Sequence, residues 1–411
     1  MPMGDIEINS FNIGGYEFVN SQRAMVVDFV VRESMFNHLG PSFSCKILDS
    51  TDLIGDTNFN GNEKVNISWS VPSPVVYEDA NFSFMTTNNQ ELNDGSKETA
   101  GSLHSKTYQI SGESPEYLNA AANRVNKSWN TPVHNMVSDI VKNNFKSTKN
   151  VDTPDATRSR NMIIRREDCT SAISKLNAVA VSTQNKSSFY TLYQTRDGGR
   201  QKYVYETFEN AFKRNSGMTF WQDATVGTKY PSDSVTYPNM IWFKPSEMFF
   251  TPSRVLNTGV ATSYNTENGK ALSDYSKRDD TFTIAGTPIP VPQIFQDASN
   301  FARFWTRNLN NPSNQKQPTD LASAKSNRMS FFSHFIQNYA DFEVSGNPNI
   351  KVGSVVNLIV PNKSITNQGS DEEKQFNGPA LVVSVTHKIR ALGQQPRYTC
   401  IVRVVKGGFD Q

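Results

Sequence analysis

The chain has 411 residues, with 41 Lys or Arg against 39 Asp or Glu, and the resulting net charge of +2 argues against a nucleic-acid reader built on a concentrated basic face. Hydrophobic residues make up 36% and charged residues 19%, and the remainder is rich in uncharged polar side chains, including 42 Asn. Asn favours turns and caps, so many loops between short elements are expected. The 26 Phe, 14 Tyr and 5 Trp supply enough aromatic surface for packed cores and exclude a disordered chain. At about 150 residues per domain, the length implies several domains.

The first hundred residues read as strands. Met25 to Val31 is an apolar run, Val65 to Trp69 alternates apolar and polar, and short strands with Gly-containing turns suggest a barrel. Thr86 to Ala100 carries turn residues and almost no apolar ones, which predicts an exposed loop. The period then changes. Ser114 before Pro115 starts a helix carrying Tyr117, Leu118, Ala121, Ala122 and Val125, and Thr131 before Pro132 starts a second, whose stripe is Val133, Met136, Val137, Ile140, Val141 and Phe145. A third helix is predicted from about Asp168 to Ala180.

Phe189 to Glu206 alternates again around Asp197-Gly198-Gly199 and predicts a hairpin. Polar tracts at Asn257 to Asp280 and Asn308 to Arg328 read as insertions or linkers, with a short helix from Phe295 to Leu309 between them. The last seventy or so residues return to strands. Val355 to Val360 ends at Pro361, a polar loop spans Asn362 to Gly378, and Leu381 to Ile389 pairs with Tyr398 to Val405. Leu381, Val383, Val385, His387 and Ile389 share one face of that hairpin, and the opposite face holds Val382, Ser384, Thr386 and Lys388.

Chemistry-bearing patterns are missing from the sequence. It contains neither a G-x-S-x-G elbow, a Walker lysine, G-x-G-x-x-G nor H-E-x-x-H. His38, His104, His134, His334 and His387 are too scattered for a metal pair, and each reads as a hydrogen-bonded or surface histidine. Cys45, Cys169 and Cys400 form neither a disulfide framework nor a zinc spacing and are expected to be buried small hydrophobes in a reducing cell. The acidic start, Met1 to Glu7, does not resemble a signal peptide, and no apolar run approaches a membrane span. Phe331-Phe332-Ser333-His334-Phe335, with Tyr339 and Phe342, reads as core or subunit contact rather than a stacking platform, and Asp371-Glu372-Glu373 as a solvated loop tip. A glycosidase-type pair among the 39 acids stays open. No catalytic, cofactor-binding or metal-ligating residue is assigned.

The segment Phe342-Glu343-Val344-Ser345-Gly346-Asn347-Pro348-Asn349-Ile350-Lys351-Val352-Gly353, continuing into Ser354 to Leu358, resembles the barrel of baseplate hub proteins from contractile-tailed bacteriophages. A strand ends in a Gly-Asn-Pro turn, a second Gly permits a tight bend, and the next strand enters the barrel. Ala380 to Lys406 is similar to that family's closing hairpin. Tyr108 to Val141 resembles the exit from a first barrel into a helical domain, and Arg165 to Tyr205 the domain that follows. The family is also similar to the N-terminal part of type VI secretion spike proteins.

The resemblance implies an α+β, mainly β chain with two tube-type β-barrel domains and an inserted helical and hairpin region. The divisions are a first barrel at 1–112, helices plus hairpin at 113–230, a second barrel at 231–280 and 330–411, and an insertion or linker at 281–329. The polar insertions are a departure, because they blur the start of the second barrel. The function implied is a non-enzymatic baseplate hub, a homotrimer whose six barrels join a six-fold tail tube or tube-initiator proteins above to a trimeric spike below. Wedge proteins are further partners, and DNA passes through the channel without specific binding. No cofactor is implied. Such a protein is made in the host bacterial cytoplasm and resides in the virion tail. The alternatives are another tail-tip component of the same fold and a hub-embedded cell-wall hydrolase.

Overall fold

The computed structural model describes residues 6–220 and 339–406, apart from 20, 52, 58, 60, 73–78, 93–105, 185–186, 360–376 and 392–396, together with Arg328 and the backbone of the strands between 221 and 311. The first unit comprises β1 (Glu7–Ile13), β2 (Tyr16–Glu17), β3 (Ala24–Ser34), β4 (Ser42–Asp49), helix α1 (Leu53–Thr57), β5 (Lys64–Ser70), β6 (Ala80–Leu92) and β7 (Lys106–Glu113). The second comprises α2 (Pro115–Ala122), β8 (Arg124–Pro132), α3 (Val133–Asn143), β9 (Val151–Asp152), β10 (Ser159–Asp168), α4 (Cys169–Val179), β11 (Tyr190–Asp197), β12 (Arg200–Thr207) and α5 (Phe208–Phe212). Then come β13 (Met218–Gln222) and β14 (Asn239–Pro245), followed by β15 (Thr258–Asn265), β16 (Ala271–Tyr275), β17 (Thr281–Ile284), β18 (Thr287–Pro290) and β19 (Ala302–Asn311). The chain closes with β20 (Tyr339–Ser345), β21 (Val355–Ile359), β22 (Gly378–Arg390) and β23 (Arg397–Lys406).

In the first barrel the strand order is β1-β5-β6-β7-β4-β3. Its end strands meet through inward rings, with Phe11 of β1 and Phe29 of β3 at 5.3 Å between centroids. In the second barrel the order β22-β21-β13-β14-β20-β23 closes on itself, because β23 also pairs with β22. Alternation explains both barrels: β5 and β20 bury every second residue. A separate sheet holds β15, β16 and β19, and β17 pairs with β18.

The barrels share one sheet. β22 pairs antiparallel with β3 from Asp28↔Arg390 to Ser34↔Ser384, while its first residues pair with β21. An irregularity between Val382 and Ser384 lets the strand serve both barrels. It also redirects the side chains. Ala380, Val382, Val385 and Ile389 enter the apolar core that runs through both barrels. Leu381 and Val383 instead pack with Met35, Phe189, Tyr193 and Phe208 at the junction with the helical unit. The single inward face expected for Leu381, Val383 and Val385 is therefore split, because a bulge inverts the period-two pattern.

Other expectations are refined. Strand β6 continues to Leu92 where a loop is expected from Thr86, because Thr87 to Glu91 are exposed and leave no apolar alternation to read. Residues 93–100 of that expected loop lie outside the described residues. The two tandem helices are separated by β8, which carries Val125. The third helix runs from Cys169 with Asp168 as its cap, accepting from the Ser171 amide at 2.8 Å. Over Phe295 to Leu309 a helix is expected, but from Ala302 the backbone is a strand parallel to β15. Phe301, Phe304 and Trp305 mimic helical spacing in a stretch too short for periodicity to decide.

Val383 is fully buried and Thr386 only half-buried. Val383→Asp places an unpaired carboxylate at the junction and is expected to cost about 3 to 5 kcal/mol in urea titrations. Thr386→Asp should stay within about 0.5 kcal/mol of the parent, and equal losses in the two variants would refute this placement.

Candidate functional site

The hairpin β11–β12 turns at Gly198 and Gly199, whose φ values of +55° and +75° suit a two-residue turn. All of β11 except Asp197 is buried, because loops of both barrels cover it. Its polar side chains satisfy carbonyls in those loops. Thr191 Oγ1 donates to Met35 O at 2.8 Å, Gln194 Nε2 to Leu39 O at 3.4 Å, and His38 Nδ1 of the first barrel reaches Leu192 O at 2.8 Å. Toward the second barrel, Thr195 Oγ1 donates to Val352 O at 2.8 Å and Arg196 Nη2 to Ile350 O at 3.1 Å. Arg214, just after α5, adds a 2.6 Å bond to Gly353 O.

The bend that receives these donors is the Gly-Asn-Pro segment singled out in the sequence. Its two glycines answer different needs. Gly353 has φ +81°, and a Cβ there would lie 2.3 Å from Tyr193 Oη. Gly346 lets the backbone approach Tyr398, whose ring a Cβ would meet at 2.0 Å. Asn347 caps the turn by accepting from the Asn349 amide at 2.8 Å.

Beside β11 lies a sealed polar cluster drawn from all three units. Arg196 Nε donates to Glu33 Oε1 of β3 at 3.0 Å, and its guanidinium carbon sits 5.0 Å from the Phe82 ring centroid. Glu33 Oε1 lies 3.5 Å from His387 Nε2 of β22. The other ring nitrogen, Nδ1, is 2.8 Å from Tyr398 Oη and 3.4 Å from Cys400 Sγ. Burial alone would raise the Glu33 pKa, but Arg196 and His387 outweigh it and hold Glu33 below the usual carboxylate range. Burial opposes the charged form of His387 as well, yet Cys400 and Glu33 push its pKa above the ordinary value. Burial would likewise raise the Cys400 thiol, and His387 reverses that direction.

Chemically, this cluster has the order of a thiol, an imidazole and a carboxylate, but His387 and Cys400 are fully buried and Glu33 nearly so. A substrate carbonyl has no route to the sulfur, so the arrangement works as a buried ionic joint rather than a nucleophile. The sequence places His387 and Cys400 on facing strands. What it could not supply is the register that sets them opposite each other, or the arrival of Glu33 and Arg196.

An open cavity of about 610 Å³ lies between β9, the β11–β12 hairpin and the 351–354 bend. Lys202 Nζ bridges Asp152 and Asp197 across it at 2.7 Å each, and Arg196, Arg214 and Lys351 line it as well, so cations outnumber anions there. His134 bonds Thr157 at 3.0 Å, and Cys45, Cys169 and Cys400 are free and buried. Tyr339 lies under Arg403 at 4.6 Å, and Phe342 is fully buried against Phe220. His104, Phe331 to Phe335 with His334, and Asp371 to Glu373 lie outside the described residues. Among the described residues no group of His, Cys, Asp and Glu is arranged to hold a metal ion, and no helix is long and apolar enough to cross a membrane.

No protein-family model matches the sequence, and no curated protein matches it. Solved structures do. The tail protein from Neisseria meningitidis MC58 superposes over 98% of this chain and 98% of its own with a TM-score of 0.57 at 9% identity. The 43 kDa tail protein of prophage MuSo2 from Shewanella oneidensis, 12% identical, covers 98% of each chain at 0.49. An E. coli component of the type VI secretion system, 11% identical, covers 99% of this chain and 79% of its own at 0.49. At such identity the first superposition fixes the fold alone, and the other two add no weight. The chain has the mainly β, two-barrel fold of a tail protein.

Arg196→Ala leaves Glu33 with His387 as its only charged partner among the described residues and takes the Arg196 donor from Ile350 O. It should cost about 3 to 5 kcal/mol in urea titrations, whereas Arg196→Met with Glu33→Leu should recover part of it. The pH dependence follows from the directions of the shifts. Protonated His387 contributes stability below its ordinary 6.5, and that contribution is lost as pH rises through the raised value. Ionised Glu33 contributes above its ordinary 4.5 and loses this as pH falls through the lowered value. His387→Gln should abolish the alkaline fall and shrink the acid limb without removing it, because Arg196 still holds Glu33 down.

Proposed function

We propose that the chain is a structural hub of a contractile-tail baseplate, a trimeric adaptor between a six-fold tail tube and a trimeric spike. The observation that carries this reading is the β3–β22 pairing, which fixes two barrels side by side in one sheet. Three such chains offer six barrel positions while keeping three-fold symmetry, and heterologous contacts close the ring. The likeness to a tail protein over the whole chain supports the same role.

The face of the shared sheet that points away from the barrel interiors is the proposed channel wall. One row across it runs Gln109, Lys46, Asp28, Arg390 and Arg397 through β7, β4, β3, β22 and β23. Asp28 sits between Lys46 and Arg390 in that row, and the chain as a whole carries only +2, so DNA would pass without the tight phosphate binding that larger Lys and Arg clusters give. The sealing of Cys400 and His387 counts against a thiol hydrolase at that cluster, and a carboxylate-pair hydrolase is the alternative that the zymogram addresses.

The assembled complex with tube and spike proteins should contain three copies of this chain, counted by cryo-electron microscopy or by light-scattering mass. One or six copies would refute the reading. On a peptidoglycan zymogram the purified chain should leave no cleared band, and clearing abolished by a single Glu or Asp substitution would replace the hub with an enzyme.

A further inference from the structure

The second unit ends in a two-stranded ribbon whose partner is unaccounted for. β8 and β10 pair only with each other among the described residues. Met162, Trp129 and Ile164 pack toward the helices, and Lys127 and Trp129 bond Asp139 of α3 at 2.8 and 2.9 Å. The opposite face carries Asn126, Ser128, Asn130, Asn161, Ile163 and Arg165, all exposed. Ile163 is 56% exposed, more than any other large hydrophobic residue among those described.

The pairing slips between Ile164 and Glu167, and Arg166 takes φ +49° there. A left-handed arginine is strained, and such strain concentrates where the residue serves a function. Arg165 and Arg166 are exposed and have no hydrogen-bond or ion-pair partner among the described residues. The chain's near-neutral total also hides a strong asymmetry. Residues 113–217 hold 16 Lys or Arg and 10 Asp or Glu, a net +6, whereas residues 1–112 hold 6 and 14, a net −8.

We infer that the outer face of the β8–β10 ribbon, centred on Ile163, Arg165 and Arg166, is an assembly surface that receives the acidic first barrel of a second copy of this chain. The inference rests on the trimeric reading and names one of its contacts. An exposed apolar residue flanked by unpaired arginines supplies a buried anchor with charge steering around it. Opposite net charges on two units of one chain favour head-to-tail contact between copies and disfavour like-to-like contact.

Sedimentation velocity on the full chain over a concentration series, at low and high salt, tests this. The wild type should form trimers that weaken as salt rises. Arg165→Glu should weaken association about tenfold or more. Arg166→Gly relieves the left-handed backbone, so it should melt no lower than the wild type and still associate more weakly, which a loss of folding could not produce. Ile163→Ser should weaken association without removing its salt dependence. Trimers of unchanged strength in all three variants would overturn the ribbon contact and leave the trimer standing; a wild type that stays monomeric throughout would also overturn the ribbon contact, and the trimer itself falls only if the assembled complex lacks three copies. Salt-sensitive binding of a fluorescent 20-base-pair duplex by the wild type, lost in Arg165→Glu, would reassign the face to nucleic acid and overturn the protein contact.

Discussion

Two barrels placed side by side bury loops, and buried loops carry carbonyl groups that must find donors. The arrangement depends on how that requirement is met. The carbonyls of Met35 and Leu39 on one side and of Ile350 and Val352 on the other are satisfied by Thr191, Gln194, Thr195 and Arg196, alternate and adjacent residues of one buried strand. β11 thus reads the loops of both barrels at once, and the second unit fixes the angle between them. Arg196 of the same strand pairs with Glu33 of β3 and donates to Ile350 O of the second barrel, so these buried charges are desolvated only when all three units are in place.

The legible parts of the sequence were those in which one periodicity governs a whole element. The β11–β12 hairpin, helix α3 and the terminal strands follow directly from alternation, apolar stripe and turn glycines. The Gly-Asn-Pro segment was legible as a bend, and both glycines have steric reasons visible only in space, through Tyr193 and Tyr398. The fold class was readable because barrels repeat a simple pattern at both ends of the chain.

Illegible parts were those in which tertiary context sets the local rule. The ribbon β8–β10 has one wet face and polar residues on the other that are used to bind Asp139, so neither strand alternates cleanly. The bulge in β22 reverses inside and outside within a run of four buried residues, where hydrophobicity cannot mark the reversal. The polar cluster joins residues 33, 196, 387 and 400, and sequence distance of that order is set by topology rather than by spacing.

The pairing of β3 with β22 also has a mechanical meaning. Seven residue pairs join the barrels along one antiparallel ladder. A pull along those strands loads the ladder's hydrogen bonds together in shear, whereas a pull across them opens the bonds in turn, as a zip does. The joint is therefore stiff in one direction and peelable in the other. Any load applied to one barrel along the strand axis is carried to the other before either unfolds, and the direction of a force, more than its size, decides whether this molecule transmits it or comes apart.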